Sequence, residues 1–214
     1  MSRALVVVGA GGHGRELLDV VEACAAASPG SVELVGVVDD AASEVNLARL
    51  AERGVPFLGD VDAWLASAGS GVRYLLGVGS GEVRRALDGR FTAAGLEPAT
   101  AVHPAAVVGS EVLLAPGVVV LAGAVVATNT RLGRHTHVHR SANVGHDCVL
   151  GAFVTVNPSA SVSGDCVVED DVLVGVGASV LQGLTLRRGA TVGGGACVVK
   201  DVPEKTVVKG VPAR

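Results

Sequence analysis

The 214 residues suffice for one large domain or two small ones, and with 49% of them hydrophobic the chain buries a full core without disulfide or metal staples. A net charge of -4 and a pI near 5.8 leave no basic field for a nucleic-acid backbone. No apolar stretch approaches the ~20 residues of a membrane span, so the expectation is a cytoplasmic protein with neither nucleic acid nor membrane as a partner. Aromatics are only 2% of the chain, while Val, Ala, Leu and 30 Gly supply nearly all its apolar content, which implies a core of small, repeated units. The four cysteines, Cys24, Cys148, Cys166 and Cys197, lie far apart without a CxxC. They read as small buried fillers rather than a zinc cluster or a disulfide framework.

Ala4 to Val8 form an apolar strand, followed at once by Gly9-Ala10-Gly11-Gly12-His13-Gly14 and the helical pattern RELLDVVEACAAA. The spacing satisfies G-x-G-x-x-G, and bare amides at a helix start suit a phosphate. A second strand, ELVGVVDD, ends in Asp39 and Asp40, where a carboxylate accepts hydrogen bonds from a ribose or a base. A third, YLLGVGS, ends at Gly79 and Ser80 before the short helix EVRRALDGRF. Three strand ends are thus expected to converge on one crevice. The glycines alone also fit tight turns and nothing more, and NAD binding is the obvious functional rival. About a hundred residues are too few for a full dinucleotide fold with a hydride-acceptor site. Pro98 and Pro104 bracket a change of pattern, which places the boundary between domains 1–100 and 101–214.

From Val102 the chain divides into sixteen hexads over 96 residues without an insertion, each opening with Val or Leu, the fifth place holding only Ala, Val, Thr, Cys or Leu. One aliphatic and one small side chain per six residues are what a triangular parallel coil requires, with eighteen residues and three short strands per turn. About five turns are expected between residues 102 and 197, each bonded only to its neighbours. Periodicity does not decide the hand, since ordinary parallel crossovers favour the right-handed one. Segments such as VLVGVGASVL expose small apolar side chains that a cyclic trimer would cover.

In the hexad Val144-Gly145-His146-Asp147-Cys148-Val149, His146 and Asp147 stand third and fourth and point away from the interior. An imidazole titrating near neutrality can take the proton of an attacking amine or hydroxyl, and an adjacent carboxylate raises its pKa and fixes its tautomer. The hexad by itself leaves open a solvated or interface histidine. In the tract His135-Thr136-His137-Val138-His139, His137 and His139 flank inward Val138 and are expected on one outer face. Without a carboxylate or cysteine at a confirming spacing, the tract reads as interface hydrogen bonding rather than a metal site.

The GAGGHG turn, the strand ending in two aspartates, the hexads containing Gly145-His146-Asp147-Cys148 and the ending Gly210-Val211-Pro212-Ala213-Arg214 together resemble one group of enzymes over the whole chain. These are the bacterial sugar acetyltransferases that include bacillosamine and perosamine N-acetyltransferases and sialic-acid O-acetyltransferase-like proteins. The resemblance implies an α/β N-terminal Rossmann-like small domain followed by a C-terminal left-handed parallel β-helix of hexapeptide repeats, assembled as a homotrimer. It implies acetyl-CoA as co-substrate, a nucleotide-linked amino sugar as acceptor, no metal, and His146 as general base beside Asp147. Diphosphate contacts map onto Gly11, Gly12 and His13, base or ribose contacts onto Asp39 and Asp40, and a third loop contact onto Gly79. Acetyl-CoA contacts map onto Thr155, Gly164, Val176 and Gly194, with the Gly164 amide a candidate oxyanion donor. Two departures stand out: Thr155 occupies a place where relatives often carry histidine, and His139 lies where they commonly have asparagine. O-acetylation of a sialic-acid-type sugar is the rival chemistry, and a nucleotide-sensing β-helix with an idle His146 is the rival class. No cysteine or serine beside a candidate base suggests an acyl-enzyme, so direct transfer in a ternary complex is expected.

Overall fold

The computed structural model describes residues 4–69 and 71–214. The chain forms two compact units that meet in sequence at Ala101 and Val102.

The first unit is built on a parallel sheet of β1 (Ala4–Val8), β2 (Glu33–Val38), β3 (Arg73–Leu76) and β4 (Glu97–Pro98), in the spatial order β2-β1-β3-β4. Its helices are α1 (Gly12–Ala27), α2 (Glu44–Glu52), α3 (Val61–Ser67) and α4 (Gly81–Ala93). β1 lies between two parallel partners, and Val6, Val7 and Val8, which alternate between the two faces of the sheet, are all buried. α1 buries Leu17, Leu18, Val20 and Val21. From α4, Phe91 meets Tyr74 of β3 with ring centroids 4.6 Å apart, and the Tyr74 hydroxyl donates to Asp88 at 2.5 Å. Helices α2 and α3 went unread in the sequence, although each has a side-chain cap: Ser43 accepts from the Asn46 amide and Asp60 from the Ala63 amide. The chain turns to opposite sides of β1 when it forms β2 and β3, so the carboxyl ends of β1 and β3 open a switch-point crevice. Among the described residues no helix is long and apolar enough to cross a membrane.

The second unit is a parallel β-helix of two-residue strands stacked into three faces of seven, six and five strands. Face one runs from Ala101–Val102 to Val207–Val208, face two from Val107–Val108 to Cys197–Val198, and face three from Leu113–Leu114 to Thr185–Leu186. Ladder partners are eighteen residues apart, as in His137 opposite Thr155 and Asn143 opposite Ser161. First-place residues such as Val126, Leu132, Val138 and Val144 and fifth-place residues such as Ala124, Ala142, Cys148 and Val154 fill the interior. Polar fifth-place side chains are satisfied by one repeated bond to a carbonyl fifteen residues on. Thr130 donates to Gly145, Thr136 to Gly151, Cys148 to Ser163 and Cys166 to Leu181, at 2.9, 2.7, 3.1 and 3.2 Å. Cys148 and Cys166 are buried fillers, whereas Cys24 and Cys197 are partly exposed.

The corner itself falls on the fourth place. Every sixth residue from Glu111 to Gly195 has a left-handed backbone, with φ from +53° to +81°, whether it is Gly, Asn, Asp, Ser, Glu, His or Phe. The coil also continues beyond the hexads. Val202 bridges to Leu186 and Val207–Val208 pairs with Thr191–Val192, both at a spacing of sixteen, which adds a shortened turn to the five expected.

Candidate active site

In the first unit the ends of β1, β2 and β3 are tied together: the Gly9 amide donates to the Val38 carbonyl at 2.8 Å and the Gly77 amide to Val8 at 2.7 Å. They open a cleft of about 450 Å³ whose lining includes Gly11, Gly12, His13, Asp39, Asp40 and Gly79. All six residues assigned to the nucleotide therefore meet in one place. Space separates two kinds of glycine here. A Cβ on Gly14 would strike the Gly9 carbonyl, and one on Gly77 would strike the Gly14 Cα, so these two allow α1 to seat on the sheet. A Cβ on Gly11, Gly12 or Gly79 would meet open space. Packing does not demand glycine at those three, and their bare backbone leaves room for close approach of a ligand. The first turn of α1 contains no acidic residue to compete with an anion. His13 lies 3.3 Å from Glu16.

The aspartates also serve the cleft structurally. Asp39 accepts from the Ala10 amide at 2.7 Å and the Ala41 amide at 2.8 Å, which fixes the glycine turn against the end of β2. Asp40 accepts from the Val61 amide at 2.8 Å and from Arg90 at 2.6 Å, and the Arg90 hydrogen bond holds its carboxyl below the usual range. Each oxygen retains a lone pair for a ligand donor. Buried Arg84, a residue of the EVRRALDGRF helix that the sequence did not single out, donates to the carbonyls of Val78 and Gly79 at 3.0 and 2.9 Å and shapes the third loop.

In the second unit His146 and Asp147 occupy the corner between faces two and three, with side chains 55% and 50% exposed. His146 Nδ1 lies 2.7 Å from Asp147 Oδ2, and Asn129 Nδ2 donates to Asp147 Oδ1 at 3.2 Å. The His146 bond, followed by that from Asn129, lowers the Asp147 pKa from its ordinary value. In a neutral imidazole whose Nδ1 proton is shared with the carboxylate, the lone pair is on Nε2. Gly164, one coil on, keeps that edge open: a Cβ there would stand 2.5 Å from His146 Nε2. Asn129 was absent from the sequence reading, although its offset of eighteen from Asp147 is the signal that places it beside that residue.

The residues assigned to acetyl-CoA do not gather at one point of the single chain. Gly164 lies against His146. Val176 and Gly194 share the corner between faces one and two, where the Gly195 amide donates to the Val176 carbonyl. Thr155 is buried on face one between His137 and Leu173. The histidine tract departs from expectation. His137 and His139, expected on an outer face, are buried, and so is His135. His135 takes a left-handed corner, stacks on Phe153 at 5.5 Å and fills the space that Gly117 leaves one coil below. His137 has buried Val119 and Thr155 as its neighbours on face one, so that stretch is not solvent-facing.

Residues 4–90 match the PglD N-terminal domain family. PerB from Caulobacter crescentus, solved in complex with CoA and GDP-perosamine, is similar at 31% identity and a TM-score of 0.87, over 99% of this chain and 96% of that one. The acetyltransferase domain of PglB from Neisseria gonorrhoeae FA1090, in complex with acetyl coenzyme A, is similar at 30% identity and a TM-score of 0.86, over 100% and 99%. The chain belongs to the hexapeptide-repeat family of sugar N-acetyltransferases. WeeI from Acinetobacter baumannii AYE, at 25% identity and a TM-score of 0.86, covers the two chains equally fully, at 100% and 99%. No curated protein matches the chain. Within this acyltransferase family, the present chain combines an open glycine cleft with an acid-held imidazole at a β-helix corner.

Proposed function

We propose that the protein transfers the acetyl group of acetyl-CoA to the amine of a nucleotide-linked amino sugar, with His146 as general base. The observation that carries this reading is the His146 corner, where Asp147 engages Nδ1 and the missing side chain of Gly164 leaves Nε2 accessible. The Nε2 lone pair removes a proton as the sugar amine attacks the thioester carbonyl, an amide bond replaces the C–S bond, and the imidazolium returns the proton to the CoA thiolate. The cleft above β1–β3 holds the nucleotide: Gly11, Gly12 and His13 at the diphosphate, Asp39 and Asp40 at the base or ribose, Gly79 at the third loop. PerB, similar over nearly the whole chain, was solved with CoA and GDP-perosamine, which supports this substrate class.

Thr155, Gly164, Val176 and Gly194 are proposed as acetyl-CoA contacts. They are spread over two corners and a face, which suits a site shared between copies of the chain. Exposed Leu113, Val149 and Val167 on face three supply an apolar surface for such a homotrimer. Both substrates are cytoplasmic metabolites, and we place the reaction in the cytoplasm. The test is thiol release from acetyl-CoA against UDP-, GDP- and dTDP-linked amino sugars beside sialic acid, with product mass and His146→Ala as controls. The expected result is an amide product from one nucleotide amino sugar and a kcat about 10²-fold lower in the variant, with acetyl-CoA binding retained. Activity confined to sialic acid would replace the amine with a hydroxyl. Nucleotide binding without turnover on any acceptor would make the protein a sensor.

A further inference from the structure

Residues 111, 129, 147, 165 and 183 follow one another at the eighteen-residue coil spacing and share the corner between faces two and three, all with left-handed backbones. As side chains they are Glu111, Asn129, Asp147, Asp165 and Gly183, so the one amide stands between two carboxylates of the column. The backbone sets their stacking: the Asp147 amide donates to the Thr128 carbonyl at 3.1 Å and the Asp165 amide to His146 at 2.8 Å.

We propose that Asn129 is a positioning residue for the transfer reaction, holding Asp147 by Oδ1 so that Oδ2 is presented to His146 Nδ1. This inference rests on His146 acting as the base. An exposed carboxylate touching an exposed imidazole gains little from that one contact, because both side chains rotate freely in water. A second bond at the opposite oxygen removes the rotation that would break the first. The left-handed corner favours asparagine but does not require it, since equivalent places are filled by Glu, Ser, His and Phe as well as by Gly, Asn and Asp. A carboxylate at 129 would repel Asp147, and a hydroxyl would not reach as far as the amide does. Glu111 and Asp165 are the charged neighbours along the column, while Ser110, Thr128 and Gly164 beside them carry no charge.

The test is an NMR titration of protein labelled with ¹³C in its histidines, the His146 signal being assigned by its absence in His146→Ala. Asn129→Gly keeps the corner backbone and removes the amide, whereas Asn129→Asp keeps the shape and replaces the donor with a negative acceptor. Because a nearby negative charge favours the imidazolium and a loosened carboxylate favours it less, the His146 pKa should rise by about half a unit in Asn129→Asp and fall by a few tenths in Asn129→Gly. In the thiol-release assay kcat should drop roughly fivefold in both with KM for acetyl-CoA unchanged, as for an interaction that matters in the transition state. A role confined to the corner fold would change thermal stability and leave the imidazole titration unmoved. Wild-type titration and kcat in both variants, with His146→Ala inactive, would overturn the positioning role and leave the base assignment standing. Turnover retained in His146→Ala would remove the base, while opposite pKa shifts in the two Asn129 variants would still establish the contact.

Discussion

The two units solve the same problem, holding a few polar groups in place, by opposite means. In the α/β unit the residues lining the cleft sit on three loops, held by bonds that occur once each, such as that from the Ala10 amide to Asp39 between two loops and that from Arg84 to Gly79 within the third. In the β-helix every place of the hexad has a fixed duty, with first and fifth inward and fourth at the corner, so a functional group appears as a residue the place does not require. His146 occupies a third place, and the bond from Asn129 to Asp147 is extra to what a corner needs. A repetitive scaffold thus displays chemistry as departures from its own rule, while a single-copy scaffold hides chemistry and structure in the same loop.

The comparison is broken most severely by Gly14→Ala. Its new Cβ strikes the Gly9 carbonyl and should lift α1 from the sheet, at a cost of about 2–3 kcal/mol read by denaturant unfolding of the first unit. Gly164→Ala tests the β-helix in the opposite sense. Its backbone is not left-handed and the group it strikes, His146, is exposed and able to swing away. Stability should hold within about 0.5 kcal/mol, while kcat falls roughly tenfold or more because the base leaves its place. Gly12→Ala separates ligand space from packing space. Nothing lies within reach of its Cβ, so the melting temperature should stay put and the affinity for nucleotide, measured by calorimetry, should weaken about tenfold.

The β-helix was legible because its first and fifth places repeat without a break, and the hexad pattern located its interior residue by residue. The fourth-place corner left a trace in composition, since all of its residues from Glu111 to Gly195 except Glu111, His135 and Phe153 are Gly, Asp, Asn or Ser, the types that favour a tight left-handed turn, but those three exceptions break the pattern. The last turn escaped because its spacing drops from eighteen to sixteen. For His137 and His139 the alternation gave the direction of the side chains but said nothing of what is solvent-facing, and these residues are buried. In the α/β unit the glycine motif and the paired aspartates line one cleft. The motif treats its glycines alike, however, and only the space around each distinguishes Gly14, which packing requires, from Gly11 and Gly12, which it does not. Helices α2 and α3 passed unread despite Ser43 and Asp60 at their caps, because their short apolar patterns are weak.

The central claim is that the glycine cleft of one unit and the His146 corner of the other serve a single reaction. The most direct measurement compares kcat/KM for an amino sugar carrying its nucleotide with that for the same sugar free, in wild type and in Gly12→Ala. If binding energy at the cleft is used at the reacting amine, the nucleotide-linked sugar should be preferred by about 10³-fold or more and the preference should shrink in Gly12→Ala. Equal kcat/KM for the linked and the free sugar would contradict the claim and leave the cleft outside the reaction.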